Sequence, residues 1–236
     1  MNDGRYYERL AAAYLRGYAM RTNAGFLSGA LLDKNLDELT EEDLAEVIEA
    51  GRKAQAKLYA FKNTHGLMPR VNRVMGFLKS QQFGSLLDVG SGRGVFLFPF
   101  LETFPGAWVT SVDILPHRVE FLQDLRRGGV ERLRAVEADI CTMPFPQGAF
   151  DVVTMLEVLE HIPDVEAAVR AAVRMAGKYV VVTVPSKPDH NPEHIHLLTK
   201  SVLTGIFEQA GCRRLRFDGV NGHLFMVATI GGMDDE

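Results

Sequence analysis

Cysteine is scarce: Cys141 and Cys212 are the two in 236 residues. Isolated thiols of this kind exclude a disulfide framework and fit a reduced state. Surplus positive charge is also missing. With 26 Lys and Arg against 30 Asp and Glu, the formal net charge is −4 and the pI is near 6.0, so the chain lacks the basic footprint of a general nucleic-acid binder. No apolar run is long enough to cross a bilayer, and the opening MNDGRYYER has no apolar signal-peptide core, so a cytoplasmic location is expected. Repeats and low-complexity tracts are lacking too. What is there is an ordinary globular composition, 47% hydrophobic and 24% charged, enough for one substantial core with an appendage.

The most informative stretch is LLDVGSGRGVF, Leu86 to Phe96. Ser85 to Val89 suits a buried parallel strand, Gly90, Gly92 and Gly94 break it, and Val95 to Phe104 can follow as a helix. Glycine serves there because the backbone must turn sharply and because a Cβ would hold a ligand away. Dinucleotide sites prefer G-x-G-x-x-G, with the pyrophosphate on the helix N-terminus. This turn reads G-x-G-x-G, and Asp88 at the strand end would oppose a pyrophosphate but suit a cationic ligand. S-adenosylmethionine is such a ligand, with a sulfonium, an ammonium and no phosphate.

At these residues the chain resembles the class I S-adenosylmethionine-dependent methyltransferases, whose first motif LLDVGSGRG is similar to. The resemblance covers about residues 84 to 230 and implies that Asp88, Gly90, Ser91 and Gly92 surround the methionine part of the cofactor. A second strand, Ala107 to Val112, leads to Asp113. That acid lies close to the interval at which a carboxylate meets ribose hydroxyls in nucleotide-binding βαβ units. Asp113 and Ile114 are therefore the ribose candidates, and a helix cap for Pro116 to Arg127 is the other reading of Asp113. After a third strand, Leu133 to Glu137, the resemblance implies that Asp139 takes the adenine amino group and that Ile140 offers a backbone N–H to the ring.

The fourth strand, Phe150 to Leu156, is apolar on both faces and belongs near the sheet centre. Glu157 follows it, where side chains face the ligand crevice of an open α/β sheet. Glu157, Glu160 and His161 form E-x-x-E-H, similar to the metal-binding stretch of small-RNA 2′-O-methyltransferases and of ubiquinone-pathway O-methyltransferases. His194 or His196 could add a ligand. Metal-free methyltransferases carry a similar EVLEH segment, and a site without metal is the expectation. If the acceptor is a hydroxyl, Glu157 or His161 is the candidate base, and Glu157 also counts among the cofactor contacts.

Tyr179 to Val184 makes a fifth strand, and the loop SKPDHNPEHIHLLT after it is a candidate wall of the acceptor site. Thr199 can cap a helix through Ala210, and Cys212 to Phe217 and His223 to Ile230 read as an antiparallel hairpin at the sheet edge. PEHIHLLTKSVLTGIFEQAGC is similar to the last helix and strand of bacterial small-molecule methyltransferases. Upstream, residues 1 to 80 read as helical: Arg5 to Met20, a helix capped by Thr40 and running to about Phe61, and Pro69 to Gln82. Lys62, Asn63, His65, Arg70 and Arg73 read as solvated positions between this segment and the rest.

The expectation is thus an α/β chain: an N-terminal helical cap (1–80) over the strand ends of a Rossmann-like, seven-stranded, mostly parallel sheet whose last strand is antiparallel (81–236). The function expected is methyl transfer from S-adenosylmethionine to an O, N or S atom of a small-molecule acceptor, with no general nucleic-acid binding and no membrane. Three other readings stay open: a metal-dependent RNA 2′-O-methyltransferase-like enzyme, a nicotinamide-dependent oxidoreductase, and a non-catalytic protein on the same scaffold.

Overall fold

The computed structural model describes residues 5–61, 68–188 and 190–231. Seven strands form one sheet: β1 (Ser85–Val89), β2 (Trp108–Asp113), β3 (Leu133–Glu137), β4 (Phe150–Leu156), β5 (Ala176–Pro185), β6 (Arg214–Val220) and β7 (His223–Thr229). Their order is β3-β2-β1-β4-β5-β7-β6. The first five pair in parallel, and β7 runs antiparallel to both β5 and β6. The expected hairpin exists, with Asn221 and Gly222 at positive φ in a tight turn that matches strand twist. Its second strand lies inside the sheet, and β6 is the edge.

Alternation along the strands divides the core between two faces. Leu86, Val109, Val152 and Val181 face one helical layer, formed by α4 (Pro69–Lys79), α5 (Leu97–Thr103) and α6 (Pro116–Arg127). Leu87, Val112, Val153, Val180 and Val182 face the other, formed by α7 (Val165–Met175) and α8 (Lys200–Gln209). Helix starts follow local chemistry. The Asp164 carboxylate accepts from Ala167 N–H at 2.8 Å, Thr199 Oγ1 accepts from Val202 N–H at 3.3 Å, and Pro69 and Pro116 occupy first turns where no N–H is needed.

The N-terminal segment holds α1 (Tyr6–Thr22), the short α2 (Gly29–Asp33) and α3 (Glu41–Lys53). Two expectations change here. The helix capped by Thr40 stops at Lys53 rather than near Phe61, because Gln55 adopts a left-handed φ of 59° and Ala56 N–H turns back to Gly51 O. The segment also does not lie as a whole over the strand ends. α1 packs along α6, buried on one side by Leu10 and Ala13 in the sheet-facing core and on the other by Leu15 and Ala19 against α3. The start of α4 is the part that reaches the strand ends. Lys62, Asn63 and His65 lie outside the described residues. No helix among the described residues is long and apolar enough to cross a membrane.

Candidate active site

The carboxyl ends of β1, β4 and β5 open into a crevice of about 170 Å³, lined by Asp88, the turn from Gly90 to Arg93, Leu156, Glu157, Thr183 and Arg70 of α4. The turn has the geometry its composition requires: Gly90, Gly92 and Gly94 all hold positive φ. Gly90 shows why no other residue serves. Its φ is 67°, and a Cβ there would sit 2.7 Å from Val158 Cγ2. At Gly92 a Cβ would meet nothing closer than 3.8 Å, so the space beside it is open to a ligand.

Beneath the turn lies a buried polar row. Asp88 pairs in register with Ser111 of β2 and Thr154 of β4, all three on the same face. Ser91 Oγ donates to Asp88 Oδ2 at 2.5 Å, Thr154 Oγ1 donates to Asp88 Oδ1 at 2.7 Å, and Ser91 and Ser111 share a hydroxyl contact of 2.7 Å. Burial nevertheless wins: it pushes the Asp88 carboxyl up from 3.8 to about 6, with the two hydroxyls opposing and the Asp113 charge adding to the rise.

Asp113 ends β2 and is 6% exposed. Its Oδ1 accepts from Leu115 N–H at 3.0 Å, and its Oδ2 lies 3.5 Å from Arg118 Nη1, so the carboxylate braces a turn rather than capping α6, whose cap position is Leu115. Ile114 is 67% exposed beside it, an apolar side chain left at the strand ends. Asp139 Oδ1 accepts from Cys141 N–H at 2.8 Å, while Ile140 is buried in the core. Asp88 near the end of β1, Asp113 closing β2 and Asp139 just after β3 thus stand at the carboxyl ends of these parallel strands.

Glu157 adopts a left-handed φ of 57°, unusual for a side chain of its size. Its N–H donates to Thr183 O at 2.9 Å, and its Oε2 accepts from His223 Nε2 at 3.0 Å. His161 is not among the crevice-lining side chains: its Nδ1 meets Glu193 O at 2.9 Å and its ring lies 4.8 Å from that of His194. Glu160, His161 and His194 bring ligand atoms within 4.8 Å of one another, a set able to hold a divalent ion. Glu157 is turned away to His223, and His196 Nε2 meets Ile162 O at 3.1 Å.

Several groups escaped the sequence reading. Arg70, read as solvated, lines the crevice, whereas Arg73 pairs with Asp218 at 2.5 Å. Ser111, Thr154 and Thr183 were legible in principle, as hydroxyl residues near the ends of otherwise apolar strands. His223 had no local signal, because its place comes from pairing with Pro185 across β5 and β7.

These residues suit a nucleoside with cationic groups and no phosphate: an open backbone cradle at Gly92, a buried carboxylate below it and an acid at the end of β2. Comparison with known proteins agrees. A family model described as "Methyltransferase domain" matches residues 87–180. A ubiquinone biosynthesis O-methyltransferase of Pseudomonas entomophila (strain L48) is 36% identical over 134 residues, 54% of this chain and 56% of that protein. A demethylmenaquinone methyltransferase of Thermus thermophilus is 31% identical over 106 residues, 44% of this chain and 48% of that protein. The chain thus spans about half the length of these curated relatives. The YcgJ protein from Bacillus subtilis superposes with a TM-score of 0.60 over 68% of this chain and 97% of that one, at 14% identity, a likeness of fold. On this fold, with its carboxylate beneath the glycine turn, residues 87–180 match a methyltransferase domain.

Proposed function

We propose that the protein transfers a methyl group from S-adenosylmethionine to a hydroxyl oxygen of a small cytoplasmic molecule. The observation that carries this reading is the buried Asp88 under an open glycine turn, since a desolvated carboxylate favours a cationic guest and repels a phosphate. When bound, the cofactor supplies an electrophilic methyl carbon whose C–S bonding electrons stay on the departing thioether.

The chain's own work is then to bind and orient. Asp88, Gly90, Ser91 and Gly92 hold the methionine part, Asp113 and Ile114 the ribose, and Asp139 and Ile140 the adenine. Arg70, with no carboxylate partner among the described residues, adds a positive rim to the same crevice. Glu157 stands where an acceptor's hydroxyl proton can be received, and a positioned base of this kind contributes about 10² to 10⁴ in rate. The O-methyltransferase activity in the name of the Pseudomonas relative supports an oxygen acceptor. A metal-assisted form of the reaction has one observation in its favour, the Glu160, His161 and His194 cluster. Titration of the protein with Mg²⁺ or Zn²⁺ tests it.

Calorimetric titration with S-adenosylhomocysteine tests the cofactor reading. Asp113→Ala should weaken binding by about 1 to 3 kcal/mol, the worth of hydrogen bonds to a charged group. Unchanged affinity removes Asp113 from the site. Release of S-adenosylhomocysteine from S-adenosylmethionine in a small-molecule extract tests turnover, and its absence would favour a binding role.

A further inference from the structure

Two crevice-lining residues each hold a buried polar atom with no hydrogen-bond partner among the described residues: Glu157 Oε1 and Thr183 Oγ1. They belong to neighbouring strand ends, since Leu156 pairs with Thr183 and Glu157 N–H donates to Thr183 O. Leaving such atoms buried and unmade costs about 1 to 3 kcal/mol each, more for a charged group. The backbone of Glu157 also holds a left-handed conformation, which adds to the cost. A carboxylate oxygen needs a donor, and a threonine hydroxyl can donate or accept. The missing partner is therefore a group bearing a hydrogen on oxygen or nitrogen.

The other half of the carboxylate is already engaged. Oε2 is held by His223 Nε2 at 3.0 Å. Because a carboxylate only accepts, Nε2 carries the hydrogen. Nδ1 lies 3.2 Å from Asn221 O in the β6–β7 turn, and with a hydrogen on both ring nitrogens it donates there and fixes the ring from behind as well. A tight turn thus holds a histidine, the histidine holds one oxygen of a carboxylate, and the other oxygen of this crevice-lining residue is left without a partner among the described residues.

Building on the methyl-transfer reading, we propose that Glu157 Oε1 and Thr183 Oγ1 form the receiving site for the hydrogen-bearing atom of the acceptor, and that His223 is a positioning residue for Glu157. The acceptor's hydroxyl hydrogen points at Oε1 and passes there as the oxygen becomes methylated.

Sinefungin tests this without knowledge of the acceptor. It replaces the methylsulfonium of the cofactor with an amine-bearing carbon, placing an ammonium where a receiving site beside the methyl would meet it. The readout is the ratio of sinefungin to S-adenosylhomocysteine affinity by calorimetry, in which general damage to the fold cancels. The wild type should prefer sinefungin by about tenfold or more, the equivalent of about 1.4 kcal/mol. Glu157→Gln and Thr183→Val should each erase most of that preference, whatever each does to S-adenosylhomocysteine affinity. His223→Leu should lower the ratio, and His223→Gln, which can still donate to Oε2, should restore it. Equal affinities in the wild type, or a ratio that survives Glu157→Gln, overturn the receiving site. A ratio indifferent to His223→Leu overturns the positioning role. Failure of S-adenosylhomocysteine itself to bind would instead overturn the cofactor reading.

Discussion

Asp88 is a carboxylate whose charge is opposed by folding, and its pH dependence follows from that. Its folded value of about 6 lies above the ordinary 3.8, so the folded state holds the proton more tightly than the unfolded chain does. The cost of the ionised form, about 3 kcal/mol, is present in full above pH 6 and is relieved as pH falls through 6 towards 4. In the cofactor-free protein, Asp88→Asn should therefore be more stable than the wild type at pH 8, and urea denaturation should show that advantage vanishing near pH 4. Affinity for S-adenosylmethionine should move the opposite way. Calorimetry from pH 7.5 to 5 should show the wild type weakening as Asp88 takes up a proton, whereas Asp88→Asn binds weakly at every pH. Asp88 was legible in the sequence because it closes an apolar run against glycines. The hydroxyls that hold it were not, since Ser111 and Thr154 reach it through strand register, which is set by residues far apart in the chain.

At the scale of elements, the tightest contact is the crossing of α1 and α6. A Cβ on Gly17 would fall 1.8 Å from the carbonyl oxygen of Asp124, and one on Gly128, just after α6, 1.7 Å from that of Ala13. Both obstacles are backbone, so neither can rotate aside. Gly17→Ala should cost at least about 1 to 3 kcal/mol in urea denaturation, the scale of overpacking. Gly76→Ala is the contrast: it lies exposed inside α4 with no atom within 4 Å of the added carbon, and should gain about 0.5 to 1 kcal/mol from helix propensity. Where helices begin was readable from Thr40, Pro69, Pro116 and Thr199, because caps and prolines act locally. Where the helix from Glu41 ends was not, because the left-handed residue that stops it is a glutamine, which composition does not mark as a breaker.

For the whole molecule, seven strands, a central β4 and an antiparallel last strand were expected from the sequence and its resemblance, but the seat of the N-terminal helices was not. Their apolar spacing announces helices without naming the face they cover. The change from helices to strands near residue 80 suggests two units, yet the hydrophobic core runs across it: Tyr7 and Leu10 share a cluster with Phe98, Leu122 and Val181. Phe61 stacks on Phe98 with centroids 5.5 Å apart, and the Arg16 guanidinium donates to Gly128 O at 3.0 Å. A core shared in this way ties the stability of the cofactor crevice to α1, which does not line it. Leu10, 2% exposed, is the place to test the link. Leu10→Ala should destabilise by about 2 to 5 kcal/mol, as cavity-forming changes do. Urea transitions followed by far-UV circular dichroism and by loss of S-adenosylhomocysteine binding should shift together to a lower midpoint. A binding transition left in place while part of the helical signal melts early would show instead that residues 1–80 fold apart from the sheet.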